Sequence, residues 1–214
     1  MALRKIILVE GEIYHIFNRS IQEIPIFKSK RDFNLFLEAT QFYLQPKPPV
    51  KFSVYRRQRK KYAINLDKKI VTIFAYCFMP NHFHFLLRQE EKKGIQKFVQ
   101  RLSNSYAHYF SIKYENRGPV FEGNFKAVRV ENDEQLVHLS RYIHLNPVTA
   151  YLTERPEEYF NSSYRAYLKG ANLPFLEVEF ILSHFSSPGD YEKFVLAQKG
   201  YQRELGQIKH LLFE

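Results

Sequence analysis

The hydrophobic and polar positions of this chain follow two periods, and their order predicts a mixed α and β architecture. Segments that repeat every second residue are typical of strands, and segments that repeat every three to four residues are typical of helices. In chain order the pattern predicts strand, helix, strand, strand, helix, strand and helix, over Glu12–Asn18, Lys30–Leu44, Val71–Met79, His82–Arg88, Gly94–Tyr114, Val120–Val130 and Asn132–Asn146. The sixth of these, Val120–Val130, reads as a strand or an extended segment. This order favours a ferredoxin-like α+β fold, an antiparallel sheet with packed helices.

Residues that start and stop helices and strands support these boundaries. Ser29 and Asn132 are placed to cap two of the helices, and Pro147 is expected to end the second of them. Pro80-Asn81 reads as a turn between two paired strands, and Gly123 as a bulge in the last strand. Each predicted element is therefore bounded by residues suited to that place.

The chain after Gly170 shows only short helical patterns, at Val178–Phe185 and Asp190–Gln198. We therefore expect one main domain over residues 1–170 and a helical C-terminal extension over residues 171–214.

Composition indicates a basic protein with a polyanionic partner. The 214 residues carry a formal net charge of +10, and aromatic residues make up 16% of the chain, which suits nucleic acid as that partner. A single cysteine, Cys77, fits a reducing cytoplasm, and no segment is apolar enough to predict a membrane span. The basic run Val54–Tyr62 reads equally well as a solvated loop or hairpin tip and as a contact to phosphates.

His82 and His84 are the first candidates for chemistry. They flank Phe83 in a predicted strand, where alternate side chains share a face, so both imidazoles point the same way. Two such imidazoles can hold a divalent metal, or they can simply be structural.

A second group of candidates lies on the last predicted helix. His138, Tyr142 and Asn146 follow one another at intervals of four and share one stripe of that helix. Asn146 could add an oxygen ligand, and Tyr142 could attack a phosphate held by the metal. Tyr142 could equally be a core residue, and Asn146 a helix end before Pro147.

Three ordered motifs resemble those of the single-tyrosine HUH transposases, particularly the REP-associated tyrosine transposases. They are YCFMPNHFHFLL, GPVFEGNFKA and RYIHLNPV, at Tyr76–Leu87, Gly118–Ala127 and Arg141–Val148. The resemblance covers about residues 11–168. It departs from the family at Asn124, where relatives commonly have Arg, at Asn161, where they commonly have Trp, and in the long basic connection Pro46–Lys69.

The resemblance implies a ferredoxin-like, metal-dependent enzyme that cleaves and joins single-stranded DNA, often beside a hairpin. It implies that His82 and His84 hold Mg or Mn with Asn146, and that Tyr142 is the nucleophile of a 5′-phosphotyrosyl intermediate. His138 is a candidate partner to these groups. A homodimer is compatible with the sequence.

Basic side chains that could line a DNA path are spread along the chain: Arg56, Arg57, Arg88, Arg101, Lys113, Arg117, Lys126 and Arg129. Three other functions fit the same residues. They are a DNA-binding regulator without catalysis, a metal hydrolase in which Tyr142 orients a water, and an RNA-binding protein.

Overall fold

Four antiparallel strands form the centre of the molecule. The structure is a computed structural model that describes residues 7–170 and 173–198. The strands are β1 (Ile13–Arg19), β2 (Val71–Met79), β3 (His82–Gln89) and β4 (Lys126–Arg129), in the spatial order β2-β3-β1-β4. This is the ferredoxin-like α+β arrangement that the sequence pattern predicts.

Seven α-helices accompany the strands in the described residues. They are α1 (Lys30–Tyr43), α2 (Phe52–Arg57), α3 (Gly94–Tyr114), α4 (Asp133–Thr149), α5 (Tyr164–Lys169), α6 (Glu179–Leu182) and α7 (Pro188–Leu196). Short 3₁₀ turns lie at Ile21–Glu23 and Pro156–Glu158. Within this part of the chain, no helix is both long and apolar enough to cross a bilayer.

The sheet separates two hydrophobic cores. One core includes Tyr14 and Ile16 of β1, Phe83 and Phe85 of β3, and the inner faces of α1 and α3. The other includes Leu86 of β3 with buried residues of α4, α5, α6 and α7. Because strand residues alternate between faces, the odd-numbered residues of β1 and the even-numbered residues of β3 face the second core. His82 and His84 therefore point toward α4.

The start of α3 lies against the chain just before β2. A Cβ added to Gly94 would lie 2.2 Å from the carbonyl oxygen of Ile70. Only glycine allows the helix to begin there, since a real Cβ contact is never this close.

Three expectations from the sequence are narrowed or corrected. The segment Val120–Val130, predicted as a strand or an extended segment, is a strand only over Lys126–Arg129, while Phe121 makes a single bridge to Ser20. The basic run within Val54–Tyr62 is neither a loop nor a hairpin tip where it begins, because α2 is helical and Phe52 packs against Phe42 of α1. Both are contacts between separate elements, which a local hydrophobic pattern does not reveal.

The third correction concerns Pro147, which lies inside α4 rather than beyond its end. Proline removes one helical N–H and disfavours helical backbone in the residue before it. Here Pro147 and Val148 are buried against the sheet, and the helix continues to Thr149. Burial of this last turn outweighs the lost hydrogen bond, so Asn146 is held within a regular helix.

The described part of the C-terminal region, residues 173–198, packs against α4. Ile181, Tyr191 and Val195 are fully buried in the second core. The short helices predicted at Val178–Phe185 and Asp190–Gln198 are present as α6 and α7. The domain boundary near residue 170 stays a prediction.

Candidate active site

The site lies between the sheet and α4, where strand histidines meet the candidate tyrosine. The rings of His82 and His84 are 4.9 Å apart between centroids, and the ring of Tyr142 lies edge-on to His84 at 5.8 Å. The antiparallel register places Arg19 opposite His82 and Phe17 opposite His84. The structure thus brings together Tyr142 and both histidines, which are distant in sequence.

His82 is held in one orientation by the turn that precedes β3. Its Nδ1 lies 2.6 Å from the Oδ1 of Asn81, whose Nδ2 donates to the carbonyl oxygen of Glu23 at 3.2 Å. Because that second bond fixes which end of the amide faces the ring, Nδ1 of His82 is the donor. The lone pair of His82 therefore lies on Nε2.

His84 is buried beside a third histidine, His15 of β1. Nδ1 of His84 lies 2.9 Å from Nε2 of His15, and the two rings stack with their centroids 5.1 Å apart. The other ring nitrogen of His84, Nε2, is shielded from solvent and has no hydrogen-bond partner among the described residues. A buried ring nitrogen without a partner costs free energy unless a ligand satisfies it.

The three histidines are neutral at physiological pH. Burial lowers the pKa of His15 to about 4, and burial together with the charge of Arg19 lowers that of His82 to about 4. The pKa of His84 falls well below 6.5, chiefly through burial and also through its neighbours His82, His15 and Arg19. A neutral imidazole is the form that binds metals.

Tyr142 and Asn146 lie one turn apart on α4. The Nδ2 group of Asn146 donates to the backbone carbonyl of Tyr142 at 2.9 Å, which leaves the amide oxygen for another contact. Burial raises the pKa of Tyr142 above 10, while a hydrogen bond with the Asn146 side chain acts in the opposite direction. The phenol is therefore protonated before any reaction.

The side chains of the site supply some of the donor atoms that a divalent metal needs. Among the residues described, no group of three or more His, Cys, Asp or Glu side chains is arranged to hold an ion. The buried and unpaired Nε2 of His84, with Nε2 of His82, supplies two nitrogen donors. Oxygen from Asn146 and from a bound phosphate would complete a set suited to a divalent ion.

The predicted partner His138 does not join this group. It is exposed on α4, with Nδ1 at 3.3 Å from Arg141 and its ring at 5.5 Å from that of Phe194. No contact with a described residue of the site supports the predicted role of His138 as a partner to these groups.

Five of the eight cations predicted to contact DNA already bond within the protein. Their partners are Glu38 for Arg56 (3.0 Å), Glu90 for Arg88 (2.8 Å), the carbonyl of Pro46 for Arg101 (3.1 Å), Asp32 for Lys113 (2.6 Å) and Glu12 for Arg129 (2.8 Å). The other three, Arg57, Arg117 and Lys126, are exposed, and no described residue forms an ion pair with them.

Sequence reasoning missed His15 and Arg19, which face the site from β1. The alternation of β1 contains the signal, since His15, Phe17 and Arg19 lie at intervals of two and share a face. The sequence does not show which strand lies beside β1. Only the pairing of β1 with β3 places these side chains beside His82 and His84.

Comparison with known proteins gives one match to a family. Residues 50–146 match the sequence model of a family described as "Transposase IS200 like". The match includes His82, His84 and Tyr142, and ends on Asn146. No curated protein matches the chain.

Two transposases are among the solved structures that match this one. The first is the REP-associated tyrosine transposase bound to a REP hairpin, at 12% identity and a TM-score of 0.52, over 83% of this chain and 92% of that one. The second is a putative transposase from Deinococcus radiodurans R1, at 13% identity and a TM-score of 0.37, over 67% and 95%. The first supports the fold, and the second is too distant to carry an argument. Through residues 50–146 the chain is therefore similar to the IS200-like transposases.

Proposed function

We propose that this protein cleaves and rejoins single-stranded DNA with metal assistance, using Tyr142 as the nucleophile. The observation that carries the proposal is the contact of Tyr142 with His84, at 5.8 Å between ring centroids, from positions 58 residues apart (142 minus 84). A tyrosine beside two neutral histidines can attack a phosphate that the histidines help to hold. The structure of a REP-associated transposase holds a REP hairpin, and by that likeness we propose hairpin-bearing DNA as the substrate.

His82, His84 and Asn146 are the proposed ligands of Mg²⁺ or Mn²⁺. In the tautomer proposed here, His84 donates from Nδ1 to His15, so that Nε2 of both ligand histidines carries a lone pair. A bound divalent ion would withdraw charge from the scissile phosphate. The chain's own contribution is to present two fixed and neutral imidazoles on a rigid strand.

The proposed step conserves the energy of the phosphodiester bond. The Tyr142 oxygen forms a bond to phosphorus, the bond from phosphorus to the 3′ oxygen breaks, and the released 3′-hydroxyl gains the proton that the phenol loses. The DNA 5′-phosphate then remains on Tyr142. Attack by a 3′-hydroxyl reverses the step, so strands are joined without ATP.

Arg19 is the cation closest to this chemistry by strand register. Its guanidinium pairs with Glu23 at 2.6 Å and is about half exposed (48%), and its charge acts on His82, His84 and Tyr142. We propose that it contacts the phosphate and stabilises the ionised phenol.

The main rival is a regulator on the same fold that binds DNA without metal or cleavage, which the net charge of +10 supports equally well. A metal hydrolase in which Tyr142 orients a water is excluded by any covalent product.

The test is incubation of the protein with labelled, hairpin-bearing single-stranded DNA in Mn²⁺, Mg²⁺ or EDTA, followed by a denaturing gel. We expect a protein-linked DNA band only with metal, and its loss in Tyr142→Phe and in His84→Ala while DNA binding persists. Cleavage in EDTA would contradict the metal, cleavage without a linked band would support the hydrolase, and binding without cleavage would support the regulator.

A further inference from the structure

A second concave surface lies on the opposite face of the sheet from Tyr142. It is a groove of about 880 Å³ between the first half of α3, the segment 119–125 and the end of β1. We call it the α3 groove. It is separate from the proposed catalytic residues, because Asn18 lines it while the neighbouring Arg19 faces His82.

The polar lining of the α3 groove is made of amides and hydroxyls, with cations at one end. The side chains concerned are Asn18, Gln96, Gln100, Ser103, Asn104 and Asn124, together with Lys92 and Lys93. Within the described chain, none of its lining residues is acidic. Such a surface suits an uncharged group rich in hydrogen-bonding atoms that is attached to an anion.

Two atoms of the lining lack partners. Gln96 Oε1 and Ser103 Oγ are both shielded from solvent, and neither has a hydrogen bond with a described residue. Native structures contain few such groups, because each one destabilises the folded chain when left unsatisfied. Both side chains line the groove, and a rotation that turns these atoms into it would let a ligand satisfy them.

The floor of the groove is apolar and includes an aromatic ring. Val99, Val120 and Phe121 are buried there, and Phe125 adds a second ring at the edge. A flat heterocycle with polar edges matches this combination of an apolar floor and amide walls. Unpaired nucleobases are recognised in this way, by stacking on aromatic groups and by hydrogen bonds to amides.

We propose that the α3 groove binds one unpaired nucleotide of the DNA strand. Gln96, Ser103 and Asn104 read the base, and Lys92 and Lys93 contact its phosphate. The inference rests on the proposed function, since it takes single-stranded DNA as the substrate. The strand reaches the groove around the edge of the sheet that β4 forms, past the exposed residue Asn124.

The test uses a hairpin DNA with a six-nucleotide single-stranded tail, made with dA, dC, dG, dT or abasic tails of equal charge. For the wild-type chain we expect at least one base-bearing tail to bind about tenfold or more tightly than the abasic tail. In a Gln96→Leu, Ser103→Ala variant that preference should fall to threefold or less, and in the matched control Gln41→Leu on α1 it should persist.

Three results would overturn the inference. They are equal binding of all tails by the wild type, a full preference in the double variant, and tighter binding of an RNA tail than of its DNA counterpart. Covalent capture at saturating DNA is measured in the same samples. Its absence in the wild type would contradict the catalytic proposal alone, because the tail preference is read from binding.

Discussion

At the scale of single residues, the site depends on which nitrogen of each histidine carries its proton. Asn81 decides this for His82, and His15 can decide it for His84 by accepting a hydrogen bond at Nε2. Groups that orient a metal-binding histidine in this way typically contribute 10- to 100-fold in metal affinity. His15 is therefore a positioning residue in this account.

Substitution of His15 tests that role. His15→Phe keeps a flat ring but removes the acceptor, and should weaken Mn²⁺ binding by about 10- to 100-fold in calorimetric titration. His15→Gln, which retains an acceptor, should recover most of the affinity. Equal affinity for the two folded variants would show that the bond between His15 and His84 is only structural, and a wild type that binds no Mn²⁺ would instead reject the metal site.

At the scale of elements, Asp32 joins α1 to α3 and to the chain before α1. Its carboxylate accepts from Lys113 (2.6 Å), Tyr109 (2.7 Å) and Tyr114 (2.7 Å), and from the backbone of Lys28 and Ser29. Burial alone would raise the pKa of Asp32, but hydrogen bonds led by that from Lys113 outweigh it and hold the pKa at about 2. The ionised carboxylate therefore stabilises the fold.

This linkage predicts a loss of stability in acid. The folded pKa of Asp32, about 2, lies below the unfolded value of 3.8. The contribution of its ionised carboxylate to the free energy of unfolding is therefore complete above pH 3.8 and declines as pH falls toward 2. Asp32→Asn should cost about 2–4 kcal/mol in urea unfolding at pH 7, and less near pH 3. The exposed Asp67→Asn serves as the control. A cost for Asp32→Asn that stays constant down to pH 2.5 would rule out the linkage.

The C-terminal helix α7 fixes the helix that carries the proposed nucleophile. The hydroxyl of Tyr191 lies 2.7 Å from Nδ1 of His144 and 3.0 Å from Ser140 Oγ, and both partners are on α4 beside Tyr142. His144 is itself fully buried, and its Nε2 lies 2.7 Å from Ser163 Oγ. The extension therefore contributes to the core around the site.

Tyr191→Phe removes one hydroxyl and leaves two buried polar groups short of a partner. We expect a loss of about 1–3 kcal/mol in unfolding free energy, with the melting temperature lowered by several degrees. Tyr62→Phe, at a tyrosine whose ring contacts Lys61 near the surface, should change little. If both variants melt like the wild type, the bonds of Tyr191 do not stabilise α4.

Much of the fold could be predicted because its signals are local. The bounds of α3 and β2 follow from periodicity, and the start of α1 from Ser29, which forms a capping box with Asp32. The continuation of α4 through Pro147 and the helical state of α2 depend on packing against distant residues, which overrides local preference. Likewise, the histidine pair and Tyr142 were visible in the sequence, but His15 became visible only through strand pairing.

At the scale of the whole molecule, the net charge of +10 makes the affinity for DNA depend on salt concentration. When an exposed cation without an ion-pair partner binds a phosphate, counterions condensed on the DNA are released. Each such cation therefore contributes to the salt dependence of the affinity. Among the described residues Arg57 has no ion-pair partner, whereas the adjacent Arg56 of the same short helix is paired with Glu38 of α1.

The two neighbours form a matched pair for a salt titration. If α2 contacts DNA, Arg57→Ala should reduce the slope of log affinity against log salt by about 1, and Arg56→Ala should reduce it less. Fluorescence anisotropy with hairpin DNA between about 50 and 200 mM salt gives both slopes. An unchanged slope in Arg57→Ala would exclude α2 from the DNA path.

Mass spectrometry of the covalent product shows whether Tyr142 becomes bonded to DNA. The protein is captured on hairpin-bearing DNA in Mn²⁺, then digested with nuclease and protease, and the peptide carrying the remaining nucleotide is sequenced. We expect a nucleotide linked through its 5′-phosphate to Tyr142. None of the other tyrosines should be modified, although the chain contains 15 in all. A nucleotide on any other residue, or DNA cleaved with no modified peptide, would contradict this expectation.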